Sequence, residues 1–306
     1  MNWETIKQQV SEDDQEKWDL QVSTASLAIN ASGLLQISSN GNSGKFGLTE
    51  HAITQLCQRL AIPARYFKRL PAEMRAQLAN YDLGRLDDST FLVRGKGQAI
   101  RAVLSDKHVA YNNRQVIEAV SAAIAGDGLV VKSFVLEERF MFIKLVSVTL
   151  ADEVLELKAC VMISNSEVGS AQVAVEPFLY RKPCTNDLIV AEDAAFRHRH
   201  VNYSPDKFNG RVAESIATGL KLAEGAVAHA WTAAQTNVAD PVAEIERLGG
   251  QIKLSNKFIN EVQLAFQQEP VGTRWGVVNG FTRAAQKLGP VQRIEVERLA
   301  GRLFAA

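Results

Sequence analysis

Leu155-Glu156-Leu157-Lys158-Ala159-Cys160-Val161-Met162-Ile163-Ser164-Asn165 decides the fold. Leu155, Leu157, Ala159, Val161 and Ile163 recur at every second position, the period that sets side chains on one face of a strand. Polar or mixed residues fall between them, as in a half-buried antiparallel strand. The chain then turns through Ser166-Glu167-Val168-Gly169-Ser170 and re-enters an extended run ending Glu176-Pro177-Phe178-Leu179-Tyr180-Arg181-Lys182-Pro183-Cys184-Thr185-Asn186. Arg181, Lys182, Thr185 and Asn186 arrive together at its end. Guanidinium, hydroxyl and amide groups on strand ends suit contact with phosphate or sugar, and no familiar catalytic centre accompanies them.

Outward from this stretch, strands are expected over about 129–136, 139–148, 154–164 and 171–180, with shorter extended pieces at 186–190 and 196–201. Upstream, Thr90–Arg94 and Gln98–Leu104 form a hairpin signal around Gly95-Lys96-Gly97. Thr49 caps a helix with Ala52, Ile53, Leu56, Cys57 and Leu60 on one face, and Pro63 stops it. A basic-aromatic turn, Arg65-Tyr66-Phe67-Lys68-Arg69, leads to a further helix in the seventies. Asn112 or Asn113 caps a helix carrying Val116, Ile117, Val120 and Ile124 inward, ended by Gly126 and Gly128. A long helix is expected from Arg211 to Ala234, its stripe formed by Val212, Ile216, Leu220, Ala223, Val227 and Trp231. After Asp240-Pro241 come short helices broken at Gly249-Gly250, Glu269-Pro270 and Gly289-Pro290.

The class is α+β: a β-hairpin and antiparallel meander packed on a long helix, with N-terminal helices and a C-terminal helical region. Three regions are expected: an acidic arm with weak strands over 1–44, an α+β core and DNA-binding domain over 45–236, and a helical region over 237–306.

The 306 residues carry a formal net charge of zero, 46% hydrophobic residues and 22% charged residues, a globular composition. No apolar run reaches membrane-helix length, and the N-terminus lacks the basic and apolar regions of a signal peptide, so a cytoplasmic protein is expected. Cys57, Cys160 and Cys184 contain no C-x-x-C pair and read as reduced thiols. The distribution of charge is more informative than its sum. Residues 1–30 hold two Lys against six acids, whereas residues 57–115 hold eleven Lys and Arg against five acids. Residues 116–180 return to four bases against nine acids. Such segregation makes a basic stripe on a neutral molecule, or simply partitions onto solvated faces.

The bases that would form the stripe are specific. Arg94, Lys96 and Arg101 surround the hairpin turn, where glycines let a backbone approach phosphate; the alternative is an ordinary hairpin with a solvated Lys96. Arg65, Lys68 and Arg69 interleave with Tyr66 and Phe67, as in surfaces where bases stack and phosphates pair, although at least one of the two rings is expected to bury. In Phe196-Arg197-His198-Arg199-His200, Arg197 and Arg199 share one face of a strand, and His198 and His200 share the other. No closed ligand set accompanies the histidines, so no metal site is assigned. Lys107, Arg114, Arg181 and Lys182 complete the set, with Tyr66, Tyr111 and Tyr180 as base-stacking candidates. Asp187, Glu192, Asp193 and Glu167 would be the carboxylates of a metal-dependent nuclease, but no D-x-D, phosphate loop or nucleophile elbow is present.

Four co-linear segments, Leu56–Leu70, Arg101–Lys107, Ile163–Asn186 and Arg274–Thr282, together with His198-Arg199-His200-Val201, resemble an uncharacterised family of phage- and plasmid-borne proteins over about residues 45–300. The chain reads Thr185-Asn186-Asp187 where that pattern has a Gly after Asn. A more remote similarity is to RecT- and Redβ-type single-strand annealing proteins. It implies a single-stranded-DNA-binding protein of a mobile element that anneals complementary strands as a ring or filament. Its partners would be DNA, further copies of itself, and a mobile-element exonuclease or single-strand-binding protein. No cofactor is expected, because pairing is downhill. The alternatives are an interaction protein directed against a host defence factor, using the acidic arm 11–19 and the acidic segment 116–180 as its surface, and the nuclease.

Overall fold

The computed structural model describes residues 2–39, 42–86, 89–124, 128–181, 186–189, 195–201 and 204–305. Helices α1 (Trp3–Asp14), α2 (Glu50–Arg59), α3 (Ala64–Arg69), α4 (Ala72–Leu83) and α5 (Asn113–Ile124) fall in its first half. Strands β1 (Lys17–Ser23), β2 (Leu27–Ile29), β3 (Leu35–Ser39), β4 (Asn42–Leu48), β5 (Thr90–Lys96) and β6 (Ala99–Ser105) form one sheet in the order β1-β5-β6-β4-β3-β2. All its pairings are antiparallel except β4 beside β6, where Gly47 faces Ala99 and Leu48 faces Ile100. Helices α2, α3 and α4 cover one face, packing Leu56, Cys57, Phe67, Ala79 and Leu83 against Leu35, Val93, Ile100 and Val103.

The second sheet takes β7 (Leu129–Leu136), β8 (Met141–Ser147), β9 (Leu157–Asn165), β10 (Val173–Arg181) and β11 (Asn186–Ile189) in the order β11-β10-β9-β8-β7, with β12 (Phe196–His198) also pairing to β10. Strict alternation splits its side chains. Met141, Ile143, Leu145, Val161, Ile163 and Val175 face α1, α5 and α6 (Pro205–Gly225). Phe142, Val146, Cys160, Met162 and Phe178 face the opposite way, against Ile294 of α11 (Pro290–Ala305). Helices α7 (Val227–Gln235), α8 (Pro241–Gln251), α9 (Asn256–Gln267) and α10 (Arg274–Ala285) share a core with Leu157, Leu179 and Leu188 of this sheet.

The α+β class holds, with antiparallel sheets and helices at both ends of the chain. Three expectations are corrected. The hairpin 90–105 lies in a different sheet from the meander, so the two do not share one supporting helix. The expected helix 211–234 is two helices, α6 and α7, joined at Ala226. Residues 1–44 are no separate arm: Ile6 and Val10 of α1 bury among Tyr111, Val120 and Phe208, β1 pairs with β5 along its whole length, and residue 45 lies inside β4. The helix end expected at Gly126 falls outside the described residues.

Candidate nucleic-acid interface

The hairpin that carries Arg94, Lys96 and Arg101 is buried on both faces. Phe91 and Val93 enter the core beneath α2–α4, whereas Leu92 joins Ala102, Leu104 and Val168 of the β9–β10 turn. Arg94 shares the parity of Leu92 and so points into the junction between the sheets. It is 2% exposed, and it donates to Asp19 through Nε (2.7 Å) and Nη2 (2.9 Å), to the Glu167 carbonyl (2.6 Å) and to Asn112 Oδ1 (2.5 Å). Arg101, 4% exposed, donates to Glu138 Oε1 at 2.8 Å and through both terminal nitrogens to Glu167 Oε2 at 3.1 Å. Lys96 is held by Asp13 at 2.8 Å.

Glu167 is the hub of this junction. Its Oε2 also accepts from Lys17 at 2.8 Å, and its Oε1 accepts from the Asn113 amide at 2.8 Å. Burial pushes its carboxyl up, but the Lys17 ammonium, the Asn113 N–H and the Arg101 guanidinium together hold it below the ordinary range. Burial likewise works against the Arg101 charge, and Glu167 with Glu138 more than restores it. Buried charges survive only when paired and hydrogen-bonded. Here Lys17, Arg94, Lys96 and Arg101 meet Asp13, Asp19, Glu138 and Glu167, cation for carboxylate. With one carboxylate for each cation, the cluster carries no net positive charge.

The other expected residues divide sharply. Arg114 pairs with Glu118 one turn along α5, Arg181 makes a two-point pair with Glu269, and Arg197 pairs with Glu176, which also binds Arg298. Tyr111 is fully buried, stacked 4.5 Å from Phe208, with its hydroxyl donating to Asn209; it is a core residue, not a stacking platform. Tyr180 is half-buried, and the Lys132 ammonium sits 3.9 Å over its ring, where a base would have to lie. Lys182 lies outside the described residues, as do Cys184, Thr185, Glu192 and Asp193. The continuous track of hairpin and strand-end bases is therefore corrected: folding joins most of them to carboxylates of the same chain.

What stays open is the surface of α3. Phe67 is buried at 3% and anchors the turn, while Arg65, Tyr66, Lys68 and Arg69 all remain exposed, Tyr66 at 55%. Lys68 reaches Glu50 at 2.5 Å, and Arg65 and Arg69 make no ion pair among the described residues. The next helix, α4, adds exposed Met74 and Tyr81, with the Arg85 guanidinium 5.4 Å over the Tyr81 ring. Residues 59–85 contain six Lys and Arg against two acids. Tyr81 and Arg85 were not singled out from sequence, although a Tyr in the last turn of a helix and an Arg four residues on, just past the helix end, can bring their side chains together. Lys107 and Arg199 are also exposed and without ion pairs among the described residues, but lie on separate segments.

One further charge cluster and a stacked histidine pair escaped the sequence reading. Lys144 on β8 donates to Asp187 at 2.7 Å and to Glu297 at 2.6 Å, and Arg293 binds the same two carboxylates at 3.1 and 2.7 Å; Lys132 also binds Asp187. Burial pushes the Asp187 carboxyl up, but Lys144 and Lys132 bring it below the ordinary value. The signal was present: a lone Lys inside Met-Phe-Ile-Lys-Leu-Val, or a lone Glu inside Val-Ala-Val-Glu-Pro-Phe, marks a buried ion pair. Near the first junction, the rings of His108 and His200 stack at 5.2 Å, and His108 Nε2 and both His200 nitrogens have no hydrogen-bond partner among the described residues. Burial first, and positive neighbours after it, push their pKa values down to about 3 and about 4. No group of three or more His, Cys, Asp or Glu side chains that could hold a metal occurs among the described residues. No helix among them is long and apolar enough to cross a membrane.

Comparison with protein-family models, curated proteins and solved structures returns no match.

Proposed function

We propose that this chain binds single-stranded nucleic acid through the exposed basic-aromatic surface of α3 and α4, and that annealing of complementary strands is the activity this binding serves. One observation carries the reading. Arg65, Tyr66, Lys68 and Arg69 stand exposed around a buried Phe67, whereas Arg94, Arg101 and Arg181 are drawn into internal ion pairs. Exposed aromatic rings beside unpaired guanidinium groups suit unstacked bases and their phosphates, without regard to sequence. A strand held by its backbone keeps its base edges free for pairing, and repetition of the surface in an oligomer would extend it.

The two alternatives have less support. Asp187 and Glu167 are each saturated by Lys and Arg and sit in separate clusters, an arrangement opposed to shared metal coordination. Asp13 and Asp19 of the acidic N-terminal segment bind Lys17, Lys96 and Arg94, which lowers the free negative charge of the surface that the interaction-protein reading needs.

The test is fluorescence anisotropy of a labelled single-stranded oligonucleotide titrated with the full chain at low and raised salt, followed by an annealing assay with its complement. Binding that weakens with salt is expected. Absence of binding at low salt would overturn the reading; binding without accelerated annealing would overturn its finer part.

A further inference from the structure

A groove runs along the α11 side of the β7–β8 hairpin, away from α3. Its narrower end, about 140 Å³, is lined by Ser133, Val135, Phe142, Lys144, Arg293 and Ile294, and no carboxylate lines it. Pro290 lines both this end and a wider depression of about 460 Å³, which is bordered by Glu137, Glu138, Arg139, Phe140 and Gln292. Residues 133 and 135 on one strand and 140, 142 and 144 on the other alternate onto this face because β7 and β8 are antiparallel neighbours.

We propose that this groove binds a nucleoside monophosphate, either free or as the terminal nucleotide of a strand. The cluster behind the narrower end holds three cations, Lys132, Lys144 and Arg293, against two carboxylates, Asp187 and Glu297, that do not themselves line the groove, so one positive charge is left over. Lys144 uses two of its three N–H donors on Asp187 and Glu297. Arg293 uses Nε and Nη2 on the same pair, and its Nη1 has no partner among the described residues. With the Ser133 hydroxyl, these donors converge on a space suited to a phosphate group. The wider part suits a planar base. The Phe140 and Phe142 rings stack at 5.8 Å, inclined by 19°, and the exposed Arg139 guanidinium covers Phe140 at 5.3 Å, so the surface a base would stack on is the outer plane of that guanidinium, backed by the ring. Glu137 and Gln292 at the rim supply acceptors for exocyclic amino groups. The combined space falls within the size range of ligand sites. The inference goes beyond the α3 surface and does not rest on it.

The test is an amide-resolved NMR titration of the full chain with adenosine 5′-monophosphate, run beside adenosine and inorganic phosphate. Saturable shifts are expected at residues 133, 142, 144 and 292, with adenosine 5′-monophosphate binding more tightly than either fragment. Phe140→Ala should weaken it at least about fivefold, the scale of one lost stacking contact, and Ser133→Trp should block it. Arg65→Ala/Tyr66→Ala/Arg69→Ala should leave it unchanged, so that failure here and failure of the α3 surface are separable. A short oligonucleotide that shifts the same amides only when 5′-phosphorylated identifies a strand end as the source; response to the mononucleotide alone identifies a free nucleotide. Inorganic phosphate binding as well as the mononucleotide, or shifts confined to other regions in the unmodified protein, would overturn the proposal even if either variant failed to fold.

Discussion

Arg94 on β5 and Asp19 on β1 form a two-point ion pair, 2.7 Å from Nε to Oδ1 and 2.9 Å from Nη2 to Oδ2, while the third nitrogen of the same guanidinium binds the Glu167 carbonyl across the inter-sheet junction. One side chain thus ties the N-terminal strand to its sheet and that sheet to the other. Arg94→Met is expected to destabilise the fold by about 3–5 kcal/mol, the usual cost of breaking a buried pair from one side. Arg94→Lys should recover only part, since an ammonium cannot reproduce the planar fork. Urea unfolding of the three proteins measures both; a loss below about 1 kcal/mol for the Met variant would deny the junction its role.

Trp18 and Gly95 make a second clasp on the same strand pair. The indole Nε1 donates to the Gly97 carbonyl at 2.9 Å, and a Cβ placed on Gly95 would lie 2.2 Å from the Trp18 ring. Gly95→Ala should therefore displace the indole, destabilise by roughly 1–3 kcal/mol as overpacking does, and shift the tryptophan fluorescence towards that of a solvated ring. Unchanged emission and stability would mean that β1 accommodates the methyl group freely.

Acid should loosen the junction in two stages. His108 and His200 have folded-state pKa values of about 3 and about 4, below the 6.5 of an unperturbed imidazole. The unfolded chain therefore binds more protons, and the stability these residues contribute is complete above pH 6.5 and lost as pH falls, down to about 4 for His200 and about 3 for His108. The slope approaches about 1.4 kcal/mol per pH unit for each histidine. Glu167 and Asp187, both depressed, contribute stability present above their ordinary values of 4.5 and 3.8 and lost below them. His200→Phe should flatten the first stage and leave the second. Equal unfolding free energies at pH 7 and pH 5 in the unmodified protein would contradict the first stage.

The elements were more legible than their assembly. Alternation in β9, the glycine turn of the 90–105 hairpin and the Thr49 cap of α2 are local signals, and each element appears where the sequence places it, although β9 is buried on both faces and not on one, because α11 covers the Cys160 and Met162 side. The Thr49 hydroxyl, for instance, accepts from the Ala52 amide at 3.2 Å. Helix α1 was not legible because its apolar stripe is narrow: Ile6 and Val10 bury, with half-buried Trp3, among exposed acids. Strand β1 was missed because its one fully buried side chain is Val22, and Leu20 remains 38% exposed. Arg94 and Arg101 misled for a different reason. A base next to a glycine turn looks solvated in one dimension, and only the second sheet, folding its 166–170 turn onto the hairpin, supplies Glu167. Conversely, Arg65, Tyr66, Lys68 and Arg69 were read correctly as to exposure because Pro63 and Pro71 confine them to a short turn whose one apolar anchor is Phe67.

The division between bases turned inward and bases left on the surface is tested most directly by comparing Arg65→Ala/Tyr66→Ala/Arg69→Ala with Lys96→Ala in one single-stranded DNA titration over a range of salt. The α3 variant should lose at least about tenfold in affinity, one stacked ring contributing about 1–3 kcal/mol, with the salt slope falling by roughly 0.7 for each lost phosphate contact. Lys96→Ala, whose ammonium is held by Asp13, should bind as the unmodified protein does. The reverse pattern, an unaffected α3 variant and a crippled Lys96 variant with its fold intact, would contradict the account.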